Sequence, residues 1–157
     1  MKNLGLLCLL LACIGFESCN KNQKNVNIQA QNEKPINVKC YKALYEQDTV
    51  ELKINTLKNG NITGNMVMKI FNMPVKVGKI AGEFRGDTLF AAYTFIQGTN
   101  DKVTFKNPMA FLKRGNDLIL GNGKIENTMG ATYFVKGQPI DFDNVKYKFT
   151  SVDCVDK

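Results

Sequence analysis

Histidine is absent from this 157-residue chain. Without an imidazole, metal sites built on histidine and the usual Ser–His and Cys–His nucleophile pairs are excluded. The sequence also lacks a glycine-rich phosphate loop and a dinucleotide-binding fingerprint. We therefore expect no enzymatic activity, no cofactor and no metal centre.

Long hydrophobic runs are missing as well. The apolar stretch from Leu4 to Phe16 is shorter than the roughly 20 residues that a membrane-spanning helix needs. It has the length of a signal-peptide core. Ser18 and Cys19 follow it, and a small residue before a cysteine at this place resembles the lipobox of bacterial lipoproteins. The resemblance implies a signal peptide at residues 1–18 and acylation of Cys19, which anchors the chain to a membrane.

Cys13 is the alternative lipidation site, because the residues before it are closer to the usual lipobox and Glu17 is an unusual charge there. Cleavage before Cys13 would leave a very short apolar core and would keep Ile14 and Phe16 on the mature chain. Cleavage before Cys19 uses the whole apolar run. We therefore favour Cys19, and a plain signal peptide with chance cysteines is the remaining alternative.

Residues 19–34 are rich in Asn, Gln and Lys and contain few apolar side chains. Such a segment cannot bury enough surface to fold, so we interpret it as a flexible tether. Some Gram-negative lipoproteins carry acidic residues just after the acylated cysteine as a signal for surface export, and residues 20–24 contain none. We therefore expect an outer-membrane anchor and a domain that faces the periplasm rather than the cell surface.

The formal net charge of +7 raises the question of a polyanionic partner. The lysines are spread along the chain rather than clustered, and an exported protein does not meet the chromosome, so we exclude nucleic acid. A diffuse positive field favours anionic lipid head groups or polysaccharide. Solvated lysines on strand faces are the alternative.

Cys40 and Cys154 lie outside the N-terminal region. Export places them in an oxidising compartment, where we expect a disulfide that joins the first strand to the last. Closing so long a loop is worth about 4–5 kcal/mol in the chain-entropy model. Two free thiols or a metal pair are the alternatives, and the second is weak without histidine.

Residues 35–157 predict one compact all-β domain. Val50, Leu52 and Ile54 alternate with polar residues, which is the period of a strand with one buried face. Turn signals separate such runs. We predict an antiparallel up-and-down meander of eight or nine strands that closes into a barrel, with a two-sheet sandwich as the alternative. The predicted strands are 36–46, 49–57, 61–71, 77–85, 88–97, 102–113, 117–125, 131–136 and 145–153.

A set of turn and strand motifs runs through this domain. These motifs are Cys40-Tyr41, Gly60-Asn61-Ile62-Thr63-Gly64, Gly82-Glu83-Phe84-Arg85-Gly86-Asp87-Thr88-Leu89, Tyr93-Thr94-Phe95, Ala110-Phe111-Leu112 and Cys154. With them the chain resembles a group of small exported β-barrel lipoproteins of Gram-negative bacteria, mostly uncharacterised and loosely lipocalin-like. The resemblance implies a lipid anchor and a β domain, and no activity. The envelope-stress copper lipoproteins have a similar barrel with a Cys-x-x-Cys pair that this chain lacks, so their copper and redox chemistry is not carried over.

Two tripeptides, Asp48-Thr49-Val50 and Asp87-Thr88-Leu89, resemble the Asp-Ser/Thr-aliphatic sequon that some of these bacteria O-glycosylate on exported proteins. Thr49 and Thr88 are therefore candidate O-glycosylation sites. The structural alternative is that Asp and Thr suit a turn that leads into a strand.

Two other groups have the residue types of metal ligands. The DFDN run at 141–144 offers carboxylates for calcium, but it lacks the glycine and distal glutamate of a known calcium loop, which favours an ordinary polar loop. Met66, Met68 and Met73 offer thioethers for Cu(I), but apolar filler is the usual role of methionine in a core. We therefore predict no metal ligand in either group.

The aromatic residues Phe90, Tyr93, Phe95 and Phe105 are candidates for lining a pocket in the barrel, with a packed core as the default. The sequence thus predicts a membrane-anchored lipoprotein whose non-catalytic barrel binds a small apolar ligand inside it, or an envelope partner at its rim. A structural or assembly accessory with a filled barrel is the alternative. An envelope sensor that responds to copper or thiol state is the least supported interpretation.

Overall fold

The computed structural model describes residues 33–128 and 131–155. These residues form twelve β-strands and no helix, and so no helix long and apolar enough to cross a membrane. The predicted signal peptide, both lipidation candidates and most of the tether lie outside the described residues. The strands are β1 (Asn37–Tyr45), β2 (Asp48–Thr56), β3 (Asn61–Lys69), β4 (Lys76–Arg85), β5 (Thr88–Gln97), β6 (Asn100–Arg114), β7 (Asp117–Leu120), β8 (Asn122–Gly123), β9 (Ile125–Thr128), β10 (Ala131–Phe134), β11 (Ile140–Asp141) and β12 (Lys148–Val152).

The long strands form because their apolar and polar side chains alternate. In β2, Val50, Leu52 and Ile54 are buried and the residues between them are half-buried. β3 and β5 repeat this period, with Met66 and Tyr93 among the buried positions. Since successive side chains point to opposite faces of a strand, each strand turns one apolar face inward.

Eight of the described strands close into an antiparallel barrel in the order β1-β12-β7-β6-β5-β4-β3-β2. β1 to β7 follow one another around the wall, and β12 fills the gap between β7 and β1. The predicted up-and-down barrel is therefore confirmed, and the sandwich alternative is wrong.

The region between β7 and β12 differs from the predicted strands. The strand predicted for 117–125 leaves the wall after Leu120, and β10 pairs with β9 outside the barrel. β8 pairs with β11 in a second small sheet. The reason lies in two glycines: a methyl group at Gly121 would overlap the ring of Phe142, and one at Gly123 would overlap the ring of Phe134. The returning chain packs directly against the backbone there, in place of continued pairing in the wall.

Successive connections alternate between the two ends of the barrel. The upper rim is made by the connections β1–β2, β3–β4 and β5–β6, at residues 46–47, 70–75 and 98–99. The lower rim is made by the connections β2–β3, β4–β5 and β6–β7, at residues 57–60, 86–87 and 115–116. β1 also begins at the lower rim, so the upper rim is the end of the barrel away from the start of the first strand.

Apolar side chains occupy the interior of the barrel. Phe111 and Phe149 are fully buried and meet edge to face, with ring centroids 5.7 Å apart. The buried hydroxyl of Tyr93 donates a 3.0 Å hydrogen bond to the carbonyl of Met66. Among the described residues, every buried side-chain nitrogen and oxygen has a hydrogen-bond partner. The core consists of Tyr41, Ala43, Val50, Leu52, Ile54, Ile62, Met66, Met68, Ile80, Leu89, Ala91, Tyr93, Phe95, Phe111, Leu118 and Phe149.

β12 is the short strand that closes the barrel, and it pairs with three residues of β1 and two of β7. Shortly after it ends, Cys154 forms a disulfide with Cys40 of β1, and the two Cα atoms are 5.2 Å apart. The predicted bridge between the first and last strands is therefore present. It holds the end of the closing strand against β1.

Replacing both cysteines, as Cys40→Ser with Cys154→Ser, should lower the free energy of unfolding by about 4–5 kcal/mol, because the bridge joins residues 114 apart in sequence. Urea unfolding of the full chain with and without reductant measures this. Reductant should destabilise the unmodified chain and leave the double variant unchanged. An unmodified chain with the same midpoint in both conditions would show that the bridge contributes nothing.

Candidate functional site

Three of the four predicted pocket aromatics form a stacked column that runs from the core to the upper rim. The rings of Tyr93 and Phe95 are 4.7 Å apart, and those of Phe95 and Phe105 are 5.4 Å apart. Exposure rises from 0% at Tyr93 to 44% at Phe105. Phe90 does not join them, because it faces outward under the guanidinium of Arg85 at 5.3 Å. The column is packed core that reaches solvent at the upper rim.

The three methionines do not share one environment. Met66 and Met68 belong to the buried core, as the structural interpretation expects, whereas Met73 is 47% exposed in the β3–β4 connection. A shared copper site on these three thioethers therefore has no support in the geometry.

The DFDN run at 141–144 uses its oxygens within its own loop. Asp141 Oδ1 accepts hydrogen bonds from the backbone amides of Asn144 at 3.1 Å and Asp143 at 2.8 Å, and these bonds lower the pKa of Asp141. Asp143 forms a 2.8 Å ion pair with Arg114. The arrangement is that of a polar loop tied to the end of β6.

The two candidate glycosylation threonines lie near opposite rims. Thr49 is the second residue of β2, near the upper rim, and Thr88 is the first residue of β5, near the lower rim. Both are half-buried. The aspartates before them differ, since Asp48 is buried and Asp87 is exposed in a turn. O-glycosylation at these positions stays a prediction.

Asp48 links the upper rim to the closing strand. Its Oδ2 accepts a 2.7 Å hydrogen bond from the Tyr147 hydroxyl, and its Oδ1 accepts a 2.8 Å bond from the Phe71 backbone amide. Tyr147 immediately precedes β12, and Phe71 lies in the β3–β4 connection. The hydrogen bond from Tyr147, and to a smaller extent the bond from Phe71, lowers the pKa of Asp48. Burial, and then the bond to Asp48, raises the pKa of Tyr147.

Four large apolar side chains are exposed within one segment at the upper rim. Phe71 is 56% exposed, Met73 47%, Val75 38% and Val77 45%. We call these four residues the rim patch. Neighbouring exposed apolar side chains of this kind mark interaction sites more often than single ones do.

The backbone under the rim patch has fixed partners. The Met73 amide donates to the carbonyl of Ile70 at 3.0 Å, and the Gly98 amide donates to the carbonyl of Val75 at 2.8 Å. Asn72, in the turn between Ile70 and Met73, takes the left-handed conformation with φ 56°, which asparagine tolerates better than most residues. With the bond from Phe71 to Asp48, the patch is tied to two other parts of the barrel.

Lysines surround the rim patch. Lys69 precedes it in sequence and Lys76 lies between Val75 and Val77. Lys102 follows the β5–β6 turn, and Lys146 precedes the closing strand. The Lys76 ammonium lies 5.5 Å above the Phe95 ring, and that of Lys146 lies 5.5 Å above the Tyr45 ring. Of the carboxylates in or next to the three upper-rim connections, Glu46 and Asp101 are exposed. The upper rim therefore combines an apolar centre with a surplus of positive charge.

Sequence reasoning missed the rim patch, although a signal was present. The apolar residues at 71, 73, 75 and 77 keep the period of a strand, but Pro74 interrupts them and cannot donate to a ladder. A strand pattern broken by proline leaves its apolar side chains on a connection, where no second strand covers them. Asp48 gave no comparable signal, because turn aspartates are normally exposed.

An open groove of about 520 Å³ lies outside the barrel, against the outer faces of β1 to β3. Its lining includes Lys42, Lys53, Asn65, Val67, Val152, Asp153 and Val155. The lining mixes charged and apolar groups, and the groove is separate from the predicted interior pocket.

No protein-family model matches the chain, and neither a curated protein nor a solved structure is detectably similar to it. Membership of the predicted lipoprotein family stays a prediction. Function has to be argued from the geometry of the barrel and its rim.

Replacing Tyr147 by Phe should lower the free energy of unfolding at neutral pH, because the Asp48 carboxylate loses its hydroxyl donor. The pKa of Asp48 in the folded chain is below the 3.8 of an unfolded aspartate, so its contribution is full above that pH and is lost as the pH falls through the folded value. Tyr147 has a pKa above its unfolded 10.0, so its own contribution is present below pH 10.0 and is lost as the pH rises further.

Urea unfolding at neutral pH and below pH 3.8 measures the acid side of this prediction. The destabilisation by Tyr147→Phe should shrink in acid, where Asp48 is protonated. Tyr45→Phe, which keeps the ring that lies 6.3 Å from Tyr147, is the matched control. Equal effects of the two substitutions at every pH would contradict the assigned bond.

Proposed function

We propose that the protein is an exported lipoprotein, anchored in the outer membrane through acylated Cys19, whose barrel acts as a rigid binding module. Binding takes place at the upper rim and not inside the barrel. The observation that carries the proposal is the rim patch, an exposed apolar surface with a fixed backbone on a barrel whose interior is occupied by side chains.

The cysteines support export. A disulfide between Cys40 and Cys154 persists in an oxidising compartment, such as the periplasm, and is rare in a reducing cytosol. The apolar N-terminal run and the Ser18-Cys19 step supply a signal and an acylation site. Together these features favour a domain that works in the cell envelope.

The filled core favours the rim over an internal ligand. The core side chains meet inside the barrel, and the aromatic column of Tyr93, Phe95 and Phe105 is stacked ring on ring. A small apolar ligand would have to displace these contacts. A purely structural accessory would also have a filled barrel, but it would have no need for exposed apolar side chains at one end.

The mass of the mature N-terminal peptide tests the anchor. Cys19→Ser should remove the acyl groups and release the protein from the membrane, because Cys19 is the proposed site of lipid attachment. Cys13→Ser, the matched control, should leave the acylated mass and the membrane fraction unchanged. The opposite result would move the lipid to Cys13, and an unacylated mature peptide in the unmodified chain would contradict the anchor altogether.

Native mass spectrometry tests the filled interior. The native mass of the mature protein should equal its mass after denaturation, with no small molecule bound non-covalently, because the core side chains occupy the barrel. A small apolar molecule that stays bound after extensive washing would contradict binding at the rim alone.

A further inference from the structure

We infer that the upper rim docks on an anionic lipid bilayer surface, with the rim patch entering the head-group region and the surrounding lysines contacting lipid phosphates. This inference deepens the proposed function and rests on it, since it names the partner of the rim. It gives the barrel a preferred orientation on the membrane, with the lower rim facing away.

The apolar part of the argument is the position of the rim patch. Phe71, Met73 and Val75 belong to a connection between strands, where residues 71–75 are all exposed. A rigid protein partner would need a matching concave surface, whereas fluid lipid adapts to a protruding loop. Apolar and aromatic side chains at a protein surface bind the bilayer interface in proportion to the apolar area that they bury.

The backbone of the patch supports docking without a large ordering cost. The Phe71 amide donates a hydrogen bond to the Asp48 carboxylate, and the Gly98 amide donates one to the carbonyl of Val75. Binding therefore does not have to fix a loose loop, and less of the interaction is lost as conformational entropy.

Charge favours an anionic surface. In and next to the three upper-rim connections, Lys69, Lys76 and Lys102 outnumber the exposed carboxylates of Glu46 and Asp101. Lys146, just before the closing strand, adds a fourth positive charge. The nearby carboxylate of Asp48 accepts two internal hydrogen bonds and is buried. Each lysine held close to an anionic membrane strengthens binding about fivefold, and salt weakens it.

The tether allows this orientation. β1 begins at the lower rim, so the upper rim is the end opposite the entry of the chain. A barrel strand of ten residues spans roughly 33 Å. The stretch from Cys19 to Asn37 spans at most roughly 60 Å when extended, which exceeds the height of the barrel. The anchored lipid then keeps the rim at a high effective concentration near the same membrane.

The absence of tryptophan from the chain provides a direct test. Phe71→Trp places a single fluorescent indole in the rim patch, and Phe84→Trp places one near the lower rim, where the side chain is 39% exposed. Each mature, acylated variant is reconstituted into vesicles of phosphatidylglycerol or of phosphatidylcholine, both with brominated acyl chains as the quencher. The tryptophan emission and its quenching are then measured.

The indole at position 71 should shift its emission to shorter wavelength and be quenched in phosphatidylglycerol vesicles, and the indole at position 84 should not. Adding Lys69→Gln or Lys102→Gln to the Phe71→Trp variant should lower the ratio of docked to free rim about fivefold each. If the indole at position 71 shows neither an emission shift nor quenching with phosphatidylglycerol vesicles, the inference is overturned, and a protein becomes the expected partner of the rim. Quenching that is equal at 71 and 84, or equal on the two lipids, overturns it as well.

The mass of the N-terminal peptide separates this result from a failure of the proposed anchor. An acylated chain whose rim stays in water keeps the anchor and loses the inference. If the mature chain carries no lipid, the same Phe71→Trp chain is offered to the vesicles from solution, and co-sedimentation with quenching decides the inference on its own.

Discussion

The closure of the barrel by one short strand is the constraint on which the rest of the structure depends. β12 has five residues, and its pairing with β1 and β7 amounts to only a few residues on each side. Each end of it is fixed by a separate interaction. Tyr147, just before it, bonds to the carboxylate of Asp48, and Cys154, just after it, is joined to Cys40. Together with the buried ring of Phe149, they keep this short strand in the wall.

The two interactions also connect closure to the proposed binding surface. The Asp48 carboxylate accepts a hydrogen bond from the Tyr147 hydroxyl at Oδ2 and one from the Phe71 backbone amide at Oδ1. The start of the closing strand and the first residue of the rim patch therefore depend on the same side chain. The disulfide secures the other end of β12, toward the lower rim, where β1 begins. The first strand thus begins at one end of the barrel, and the other end presents the apolar surface.

Much of the fold follows from the sequence, because alternation is a local property. The buried series Val50, Leu52 and Ile54 identifies a strand by itself, and the two distant cysteines correctly indicate the first and last strands as neighbours. The excursion after Leu120 was not predictable in the same way. It depends on rings that pack on Gly121 and Gly123 from residues far along the chain, which no short window contains.

The candidate site was harder to predict for a similar reason. The exposure of Phe71 and Val75 depends on which strands cover them, and Met73 drew attention for its sulfur rather than for its place in a loop. The buried state of Asp48 depends on Tyr147, which is 99 residues away in sequence. Sequence reasoning named these aromatics as pocket candidates with a packed core as the default, and the stacking of Tyr93, Phe95 and Phe105 that favours the packed core is visible only in three dimensions.

The central claim is that the closing strand is as firmly held as the centre of the wall. Native-state hydrogen exchange on the intact protein tests it most directly, by comparing the paired amides of β12 with those of β5. The account predicts that both sets exchange only through global unfolding and therefore show the same free energy of opening. Amides of β12 that exchange much faster than those of β5, with the disulfide and Tyr147 intact, would contradict it.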